Sequence, residues 1–296
     1  MFIDSFIGFL RVERNYSKHT LRAYAKDIRA FQDYLACIDE SLSFLSADKD
    51  IVRSWAASMV DGGAFPATVC RKLSSLRTFY DYIVREGHLE SSPVAPVRGP
   101  KCRKSLPVFV KEADMDALFE SLEQNLSYEE SRDRMILLLF YETGIRLSEL
   151  VGLDVSSVDM SASVIKVYGK RGRERVIPFG AALHNALEKY LDVRDVFLDG
   201  DSHALFLSSR GARISCSAVY RLVNARLKNV VTLKKSSPHV LRHTFATTML
   251  NNGAELGVVK EILGHKRLAT TEIYTHLTFE ELKSVYEKAH PRAGIN

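Results

Sequence analysis

The sequence predicts a mainly α-helical protein with a small β-sheet, divided into two domains. Apolar residues recur at three- and four-residue steps through much of the chain, which is typical of amphipathic helices. Two β-rich runs flank one glycine-containing turn, and four of the eight prolines cluster near residue 100. A length of 296 residues allows each of two domains to bury its own core.

Two amphipathic helices are predicted ahead of the clustered prolines. Ser17 can cap the first helix. Its buried face consists of Leu21, Tyr24, Ile28, Phe31 and Leu35. The second helix, TVCRKLSSLRTFYDYIVREG, stops near Gly87. Its buried face consists of Val69, Leu73, Leu76, Tyr80 and Ile83.

Basic side chains accompany both helices outside the apolar faces. They are candidates for contacts to the phosphates of a nucleic acid, although a solvated surface explains them equally well within this domain. These candidates are Lys18, Arg22, Lys26, Arg71, Lys72 and Arg77.

The clustered prolines indicate a linker between the domains. They are Pro93, Pro96, Pro100 and Pro107, and four basic residues stand among them. Proline fixes φ and lacks an N–H donor, so neither a helix nor a central strand is expected to run through this segment. We therefore predict a first domain at 1–92, an extended basic linker at 93–106 and a second domain at 107–296.

The net charge of +5 is distributed unevenly along the chain. It amounts to +4 over residues 1–104, −8 over 105–160 and +9 over 161–296. A concentrated basic surface is one indication of a polyanionic partner. A run of charge is more often only a solvated face, so the pattern carries weight where it coincides with chemistry.

Several protein classes are disfavoured. No apolar run approaches the roughly 20 residues of a membrane-spanning helix, and the first residues lack the features of a signal peptide. The four cysteines form no CxxC pair, which favours a cytoplasmic location and disfavours structural zinc: Cys37, Cys70, Cys102 and Cys216. GKRGRER does not match a nucleotide-binding phosphate loop, and we expect no cofactor.

The second domain is predicted to combine helices with one hairpin. RDRMILLLFYETG at 132–144 is a buried helix that ends at Gly144, and SVIKVYGKRGRERVIPF at 163–179 is the hairpin. Helical segments follow from AALHNALEKYLDV onward. Pro238 suits the first turn of a helix that would place His239 and Arg242 on one face.

A last helix is predicted near the end of the sequence. Thr278 and Glu281 form a capping box, so residues 279–289 should be helical. Its apolar side would contain Leu282, Val285 and Tyr286.

Five segments of the second domain carry polar residues in a recognisable order. They are TGIRLSEL (143–150), YGKRGRER (168–175), PHVLRHTFAT (238–247), LGHKRLATTEIYTHL (263–277) and SVYEKAHPRA (284–293). The set resembles the tyrosine site-specific recombinases of the phage integrase family, whose signature is Arg, Lys, His-x-x-Arg, His or Trp, and Tyr. Position by position, the resemblance implies the catalytic residues Arg146, Lys170, His239, Arg242, His265 and Tyr274.

The resemblance also implies a fold. SKHTLRAYAKDIRAFQDYL and TVCRKLSSLRTFYDYI look like that family's core-binding domain. The chain would then combine an N-terminal α-helical core-binding domain with a C-terminal α+β tyrosine-recombinase catalytic domain.

Arginine suits the chemistry that the resemblance implies. Displacement at a phosphodiester needs its developing charge stabilised, and a guanidinium can bond two phosphate oxygens at once. Arg146 and Arg242 would hold the phosphate, with His265 as a further donor. On the hairpin, Arg171 and Arg173 would contact DNA.

The resemblance assigns the remaining roles. Tyr274 would attack a phosphate and form a 3′-phosphotyrosyl link, releasing a 5′-hydroxyl. Its free pKa of about 10 means that it needs nearby cations or a base. Lys170 would be the general acid to the 5′-hydroxyl, and His239 the proton-handling partner of the tyrosine.

Taken singly, these residues have ordinary explanations. Arg146 alone is better explained as an ion-pair partner of Glu149, and Lys170 as a solvated lysine in a turn. His265 could neutralise the carboxyl end of a helix, and Tyr274 alone would most often be a core residue. Their occurrence together, in the order of one signature, favours catalysis.

Three other functions remain open. A type IB topoisomerase would share the chemistry without joining two sites, and a DNA-binding protein without catalysis would tolerate loss of Tyr274. A metal-dependent hydrolase built on His239, His243 and His265 would be inactivated by a chelator. The histidine spacing lacks the glutamate of H-E-x-x-H, which disfavours the metal site. Glu149, His243 and Thr244 are interpreted as supporting or structural residues.

Resemblance and length together favour the compact Xer type of recombinase, which resolves chromosome dimers at segregation. The integrase of a mobile element is the alternative. The implied partners are duplex DNA with two half-sites, a second related recombinase in a tetramer on two sites, and a septal DNA translocase. The last helix would exchange between neighbouring subunits, and neither metal nor ATP is implied.

Overall fold

The structure is a computed structural model that describes residues 2–101, 108–122, 127–169, 174–197, 202–230, 236–264 and 279–293. Its chain divides into two compact units, Met1–Ser105 and Leu106–Asn296. The first unit is helical, and the second combines helices with a small antiparallel sheet. The predicted fold class is confirmed.

The first unit contains four helices among its described residues. They are α1 (Phe2–Val12), α2 (Lys18–Ile38), α3 (Lys49–Asp61) and α4 (Pro66–Arg85). Their apolar faces meet in one core that includes Phe6, Phe31, Trp55, Phe79 and Tyr80. Burial of these large aromatic side chains is the main favourable contribution to the stability of such a unit.

Both sequence-predicted helices of this unit are confirmed. Ser17 caps α2, because its hydroxyl accepts a hydrogen bond from the backbone N–H of Thr20. Proline occupies the first turn of α4, where its missing N–H costs nothing. Gly87 follows the end of α4 with a φ of +77°.

The segment after α4 packs onto the first unit. Val94 and Val97 are buried in its core. The backbone carbonyl of Val97 accepts a hydrogen bond from Arg77, and that of Pro100 accepts one from the thiol of Cys70. The packed structure of the first unit therefore continues well into the proline-rich segment.

The second unit contains eight helices among its described residues. They are α5 (Glu112–Glu120), α6 (Tyr128–Thr143), α7 (Leu147–Val151), α8 (Ala181–Phe197), α9 (Cys216–Val230), α10 (Pro238–Asn251), α11 (Leu256–Leu263) and α12 (Phe279–Ala289). A short 3-10 turn at Val155–Ser157 follows α7. Helix α6 is almost wholly buried and packs against α8 and α10.

The predicted hairpin is present. Strands β1 (Val158–Asp159), β2 (Val164–Tyr168) and β3 (Glu174–Pro178) form an antiparallel sheet in that order. In the hairpin register, Val164 pairs with Pro178 and Tyr168 with Glu174. The tip of the hairpin at 170–173 lies outside the described residues.

The predicted last helix is also confirmed, since α12 has the expected bounds. Tyr286 and Ala289 are buried in the core of the second unit, and Leu282 and Val285 pack against that core. Helix α12 thus rests on its own chain, beside α10, α11 and β3. Thr278 of the predicted capping box lies outside the described residues.

In the described part of the chain, no helix combines the length and the apolar character that crossing a membrane requires.

Candidate phosphate-binding site

Three of the six predicted catalytic residues lie in the described part of the chain. Arg146, His239 and Arg242 line a single pocket, together with Ile145, Leu147, Tyr220 and Pro238. The structure therefore brings together residues that stand almost one hundred positions apart in the sequence.

Other predicted site residues lie outside the described residues. They are Lys170, Arg171, Arg173, His265 and Tyr274. Among the described neighbours of these segments, Arg175 of β3 binds Glu149, which also binds Arg146. The carbonyl of Gly264, after α11, accepts directly from Arg146. His265 is the next residue after Gly264, the C-cap of α11.

Arg146 is the N-cap of helix α7, two residues after Gly144, the C-cap of α6. Its Nη1 donates to Oε1 of Glu149 at 2.7 Å, and its Nη2 donates to the carbonyl of Gly264 at 2.7 Å. The ion pair that would explain Arg146 as a structural residue is thus present. The side chain is nevertheless 33% exposed and lines the pocket, so the pair orients the guanidinium without removing it from the site.

Glu149 is buried between two arginines. Its Oε1 also accepts from Nη1 of Arg175 at 2.7 Å, and its Oε2 accepts from Nη2 of Arg175 at 2.8 Å. The backbone N–H of Arg146 donates to Oε2 at 3.0 Å. Burial would raise the pKa of this carboxyl, but these hydrogen bonds and charges outweigh it and lower the pKa to about 2.

Arg242 is buried on the first turns of α10. Its guanidinium donates to the carbonyl of Gly144, the C-cap of α6, and to that of Leu263, the last residue of α11. Helix carboxyl ends carry partial negative charge and so stabilise a cation. Burial, with the nearby charges of Arg146 and Arg175, lowers the pKa of Arg242 to about 10. The side chain remains cationic at neutral pH.

His239 is the second residue of α10 and is exposed to the pocket side. Pro238 fills the first turn, as the sequence predicts. The amino end of the helix carries partial positive charge, which adds to that of the two arginines and favours an anion in the pocket.

The supporting residues that the sequence singles out differ in their surroundings. The hydroxyl of Thr244 accepts from the backbone N–H of Val110 and donates to the carbonyl of Val240, while His243 is exposed. Within the part of the chain that the structure describes, no group of three or more histidine, cysteine, aspartate or glutamate side chains could hold a metal ion.

Two residues in or next to the pocket were not predicted as site residues from the sequence. Arg175 binds Glu149, and Tyr220 of α9 lines the pocket. Arg175 stands in an arginine-rich hairpin, where a contact to DNA is the more obvious interpretation. The alternation of β3 does offer a signal, since it places Arg175 and Ile177 on one face of the strand, and Ile177 is buried.

The predicted basic residues of the first unit fall into two groups. Lys18, Arg22 and Lys26 are exposed along α2. The others are engaged within the unit. Arg71 pairs with the buried Asp27, Arg77 donates to the carbonyl of Val97, and the Lys72 ammonium lies 5.9 Å from the ring centre of Trp55.

Both units match known families. Residues 109–281 match the phage integrase family, and residues 3–87 match the phage integrase N-terminal SAM-like domain. The first match covers more than half of the chain.

Curated relatives match over nearly the whole chain. The tyrosine recombinase XerC of Pelotomaculum thermopropionicum is 40% identical over 303 residues, covering 98% of both chains. That of Thermodesulfovibrio yellowstonii is 38% identical over 295 residues, covering 98% of this chain and 96% of the relative.

A solved structure shares the fold. The XerH site-specific recombinase, bound to palindromic difH substrate as a post-cleavage complex, is 21% identical with a TM-score of 0.72. The match covers 96% of this chain and 84% of that one.

Proposed function

Because this chain belongs to the phage integrase family, as the resemblance of its motifs predicts, we propose that it is a site-specific tyrosine recombinase. It cuts and rejoins DNA strands through a 3′-phosphotyrosyl intermediate. Storing the phosphodiester energy in that link allows rejoining without ATP.

The pocket that holds Arg146, Arg242 and His239 is the observation that carries this proposal. Two guanidiniums are fixed by helix carboxyl ends before any substrate arrives. Preorganised donors of this kind stabilise charge where it develops in a transition state, and planar guanidiniums match phosphate oxygens. Each arginine retains N–H groups beyond those used for its protein contacts.

The proposed reaction proceeds in two displacements. The phenol oxygen of Tyr274 attacks the scissile phosphorus and transfers its proton to His239. The 5′-oxygen departs with a proton from Lys170, while Arg146 and Arg242 stabilise the charge on the non-bridging oxygens. A 5′-hydroxyl of another strand then attacks the phosphotyrosyl link and reverses these proton transfers, which restores the enzyme.

The biological role that we favour is Xer-type resolution of chromosome dimers at segregation and cell division. Relatives named XerC support it over the integrase of a mobile element. GLD at 152–154 and the tail SVYEKAHPRA also lean towards XerC rather than XerD. The expected partners are duplex DNA with two half-sites, a second related recombinase and a septal translocase, in the cytoplasm.

The domain assignment follows the same proposal. We assign core binding to residues 1–92, the linker to 93–106 and catalysis to 107–296. Packing of Val94 and Val97 into the first core supports extending the folded part of the first domain towards Pro100. Lys18, Arg22 and Lys26 are the leading candidates for phosphate contacts in that domain.

A tetramer on two DNA sites completes the proposal. The sequence predicts that α12 docks on a neighbouring subunit. Because α12 rests on its own chain, with Tyr286 fully buried, such docking requires the helix to leave this position during assembly.

A suicide-substrate assay tests the proposed activity. Nicked duplexes carrying candidate palindromic sites let the cleaved strand diffuse away, so a covalent complex accumulates and can be resolved by denaturing electrophoresis. We expect a covalent complex for the wild type and none for Tyr274→Phe, which should still retard the same DNA in a native gel. An adduct that persists in Tyr274→Phe would rule out the assigned nucleophile.

A further inference from the structure

Three arginines bind the carbonyls of three successive residues at the carboxyl end of α11, the last of which is its C-cap. Nε of Arg175 donates to the carbonyl of Ile262 at 3.0 Å, and Nη2 of Arg242 donates to that of Leu263 at 2.6 Å. Nη2 of Arg146 donates to the carbonyl of Gly264 at 2.7 Å. The final carbonyls of a helix lack intrahelical partners and carry partial negative charge, so three cations are held at one site.

Arg175 differs from the other two arginines because it is absent from the pocket lining, which includes both Arg146 and Arg242. Its side chain is 14% exposed, and it does not line the pocket. Each of its three nitrogens makes a hydrogen bond, two to Glu149 and one to Ile262. A guanidinium engaged in this way holds protein groups in place and is poorly disposed to bind a phosphate.

Glu149 connects Arg175 to the pocket. Both of its carboxylate oxygens accept from Arg175, and both also accept from Arg146, one from the side chain and one from the backbone. Arg175 therefore sets the orientation of the carboxylate that sets Arg146. It also balances the charge of Glu149, so that the positive charge of Arg146 remains available to an anion.

We propose that Arg175 is a positioning residue for the phosphate-binding guanidinium of Arg146, acting through Glu149 and the carboxyl end of α11. This inference rests on the proposed recombinase function. Without Arg175, the Glu149 carboxylate would pair with Arg146 alone, neutralise its charge and draw it away from the scissile phosphate. Gly264 preserves the arrangement, because a Cβ there would lie 3.1 Å from Cδ of Arg175.

The test compares two DNA substrates. One carries the normal scissile phosphate, and the other carries a methylphosphonate, in which a methyl group replaces one non-bridging oxygen and removes the negative charge. Cleavage of the neutral substrate depends less on a charged guanidinium. The rate of adduct formation at saturating DNA, and the DNA concentration that gives half the maximal rate, are measured for the full-length chain.

We expect Arg175→Met to slow cleavage of the phosphate substrate by roughly 10- to 100-fold, at most the cost of losing one preorganised donor. Cleavage of the methylphosphonate should change by no more than about 3-fold, as should half-saturation, because the removed interaction acts on transition-state charge. Arg146→Ala should likewise slow cleavage of the phosphate substrate more than cleavage of the methylphosphonate. The double variant Arg146→Ala/Arg175→Met should be no slower than Arg146→Ala alone.

Two further variants separate positioning from folding. Arg175→Met/Glu149→Gln removes the charge that would capture Arg146, so it should recover part of the activity lost in Arg175→Met. Arg213→Met is the matched control, because Arg213 also binds two carbonyls, of Val151 and Leu153, and a carboxylate, of Asp154, away from the pocket. Arg213→Met should leave the ratio of the cleavage rates on the two substrates at the wild-type value.

Equal losses on both substrates, or additive losses in the double variant, would overturn the proposal and leave Arg175 with a purely structural role. Failure of the recombinase assignment gives a different result, since the wild type would then form no adduct with either substrate.

Discussion

Gly144 shows how much the pocket depends on a single residue. Its φ of +56° lies in the left-handed region, which ends α6 and turns the chain into Arg146. A Cβ at this position would lie 2.6 Å from Cδ1 of Phe245 and 2.7 Å from Cδ2 of Leu263. The carbonyl of Gly144 also accepts a hydrogen bond from Arg242. Backbone conformation, packing and cation binding therefore meet at one glycine.

Gly144→Ala should destabilise the protein more than Gly253→Ala. Both glycines have positive φ, but the space around the Gly253 Cβ position is open. Left-handed strain of about 1–2 kcal/mol applies to both, whereas crowding adds about 1–3 kcal/mol at Gly144 only. Denaturant unfolding measures both free energies. Equal losses for the two variants would contradict the packing argument.

Helix α12 rests on a group of buried titratable side chains. Tyr286 and His290 stack on each other with ring centres 5.4 Å apart, and His290 also stacks on Phe245. Glu142 of α6 is fully buried beside the hydroxyl of Tyr286. Burial raises the pKa of Glu142 to about 8, although Arg292 opposes the shift, and burial lowers the pKa of His290 to about 4.

These shifts have opposite consequences for stability. Glu142 binds a proton more tightly in the folded state than in the unfolded chain, so its contribution to stability falls as pH rises from about 4.5 to about 8. His290 is buried in its neutral form, whereas the unfolded chain protonates this histidine below its ordinary pKa of 6.5. The contribution of His290 to stability therefore rises from about pH 4 to pH 6.5 and is constant above that pH. Between pH 6.5 and 8 the fall due to Glu142 should dominate this pair.

Glu142→Gln should therefore raise the melting temperature relative to the wild type, by an amount that grows from pH 5 to pH 8 and then levels off. Glutamine resembles the protonated carboxyl in shape, and the contribution of His290 is the same in both proteins. Thermal unfolding across this pH range measures the difference. A difference that stays constant with pH would show that Glu142 is not buried as a neutral acid.

At the scale of the whole molecule, the modest net charge of +5 includes basic residues in two different environments. Arg71, Arg175 and Arg242 are bound to carboxylates or carbonyls within their own units. The exposed residues Lys18, Arg22 and Lys26 on α2 have a different environment and remain the stronger candidates for DNA phosphates.

Replacing Lys18, Arg22 and Lys26 by alanine should weaken DNA binding and reduce its dependence on salt. Each lost phosphate contact lowers the slope of log affinity against log salt by about 0.9, so the slope should fall by roughly 2–3. The control is Lys49→Ala/Arg53→Ala/Arg85→Ala, which removes the same charge from the unit. Arg53 and Arg85 already pair with Asp50 and Glu13. Equal slope changes in the two variants would refute a specific role for α2.

Local patterns explain why much of the fold could be predicted. The spacing of Leu21, Ile28 and Phe31 indicates α2, and the turn residues at 169–173 indicate the hairpin, because helices and hairpins are organised by neighbours in the chain. Strand β1 could not be predicted in this way. It has only two residues, and its existence depends on pairing with β2.

The sequence by itself indicated helices α2, α4, α6, α10 and α12, the hairpin, and the ordered set that contains Arg146, His239 and Arg242. Only the tertiary structure decided how the arginines divide their roles. Arg175 lies 26 residues from Glu149 and 87 from Ile262, so no local spacing relates them. Packing of β3 and α11 around α7 brings these residues together, and burial then requires each charge to be matched by a partner.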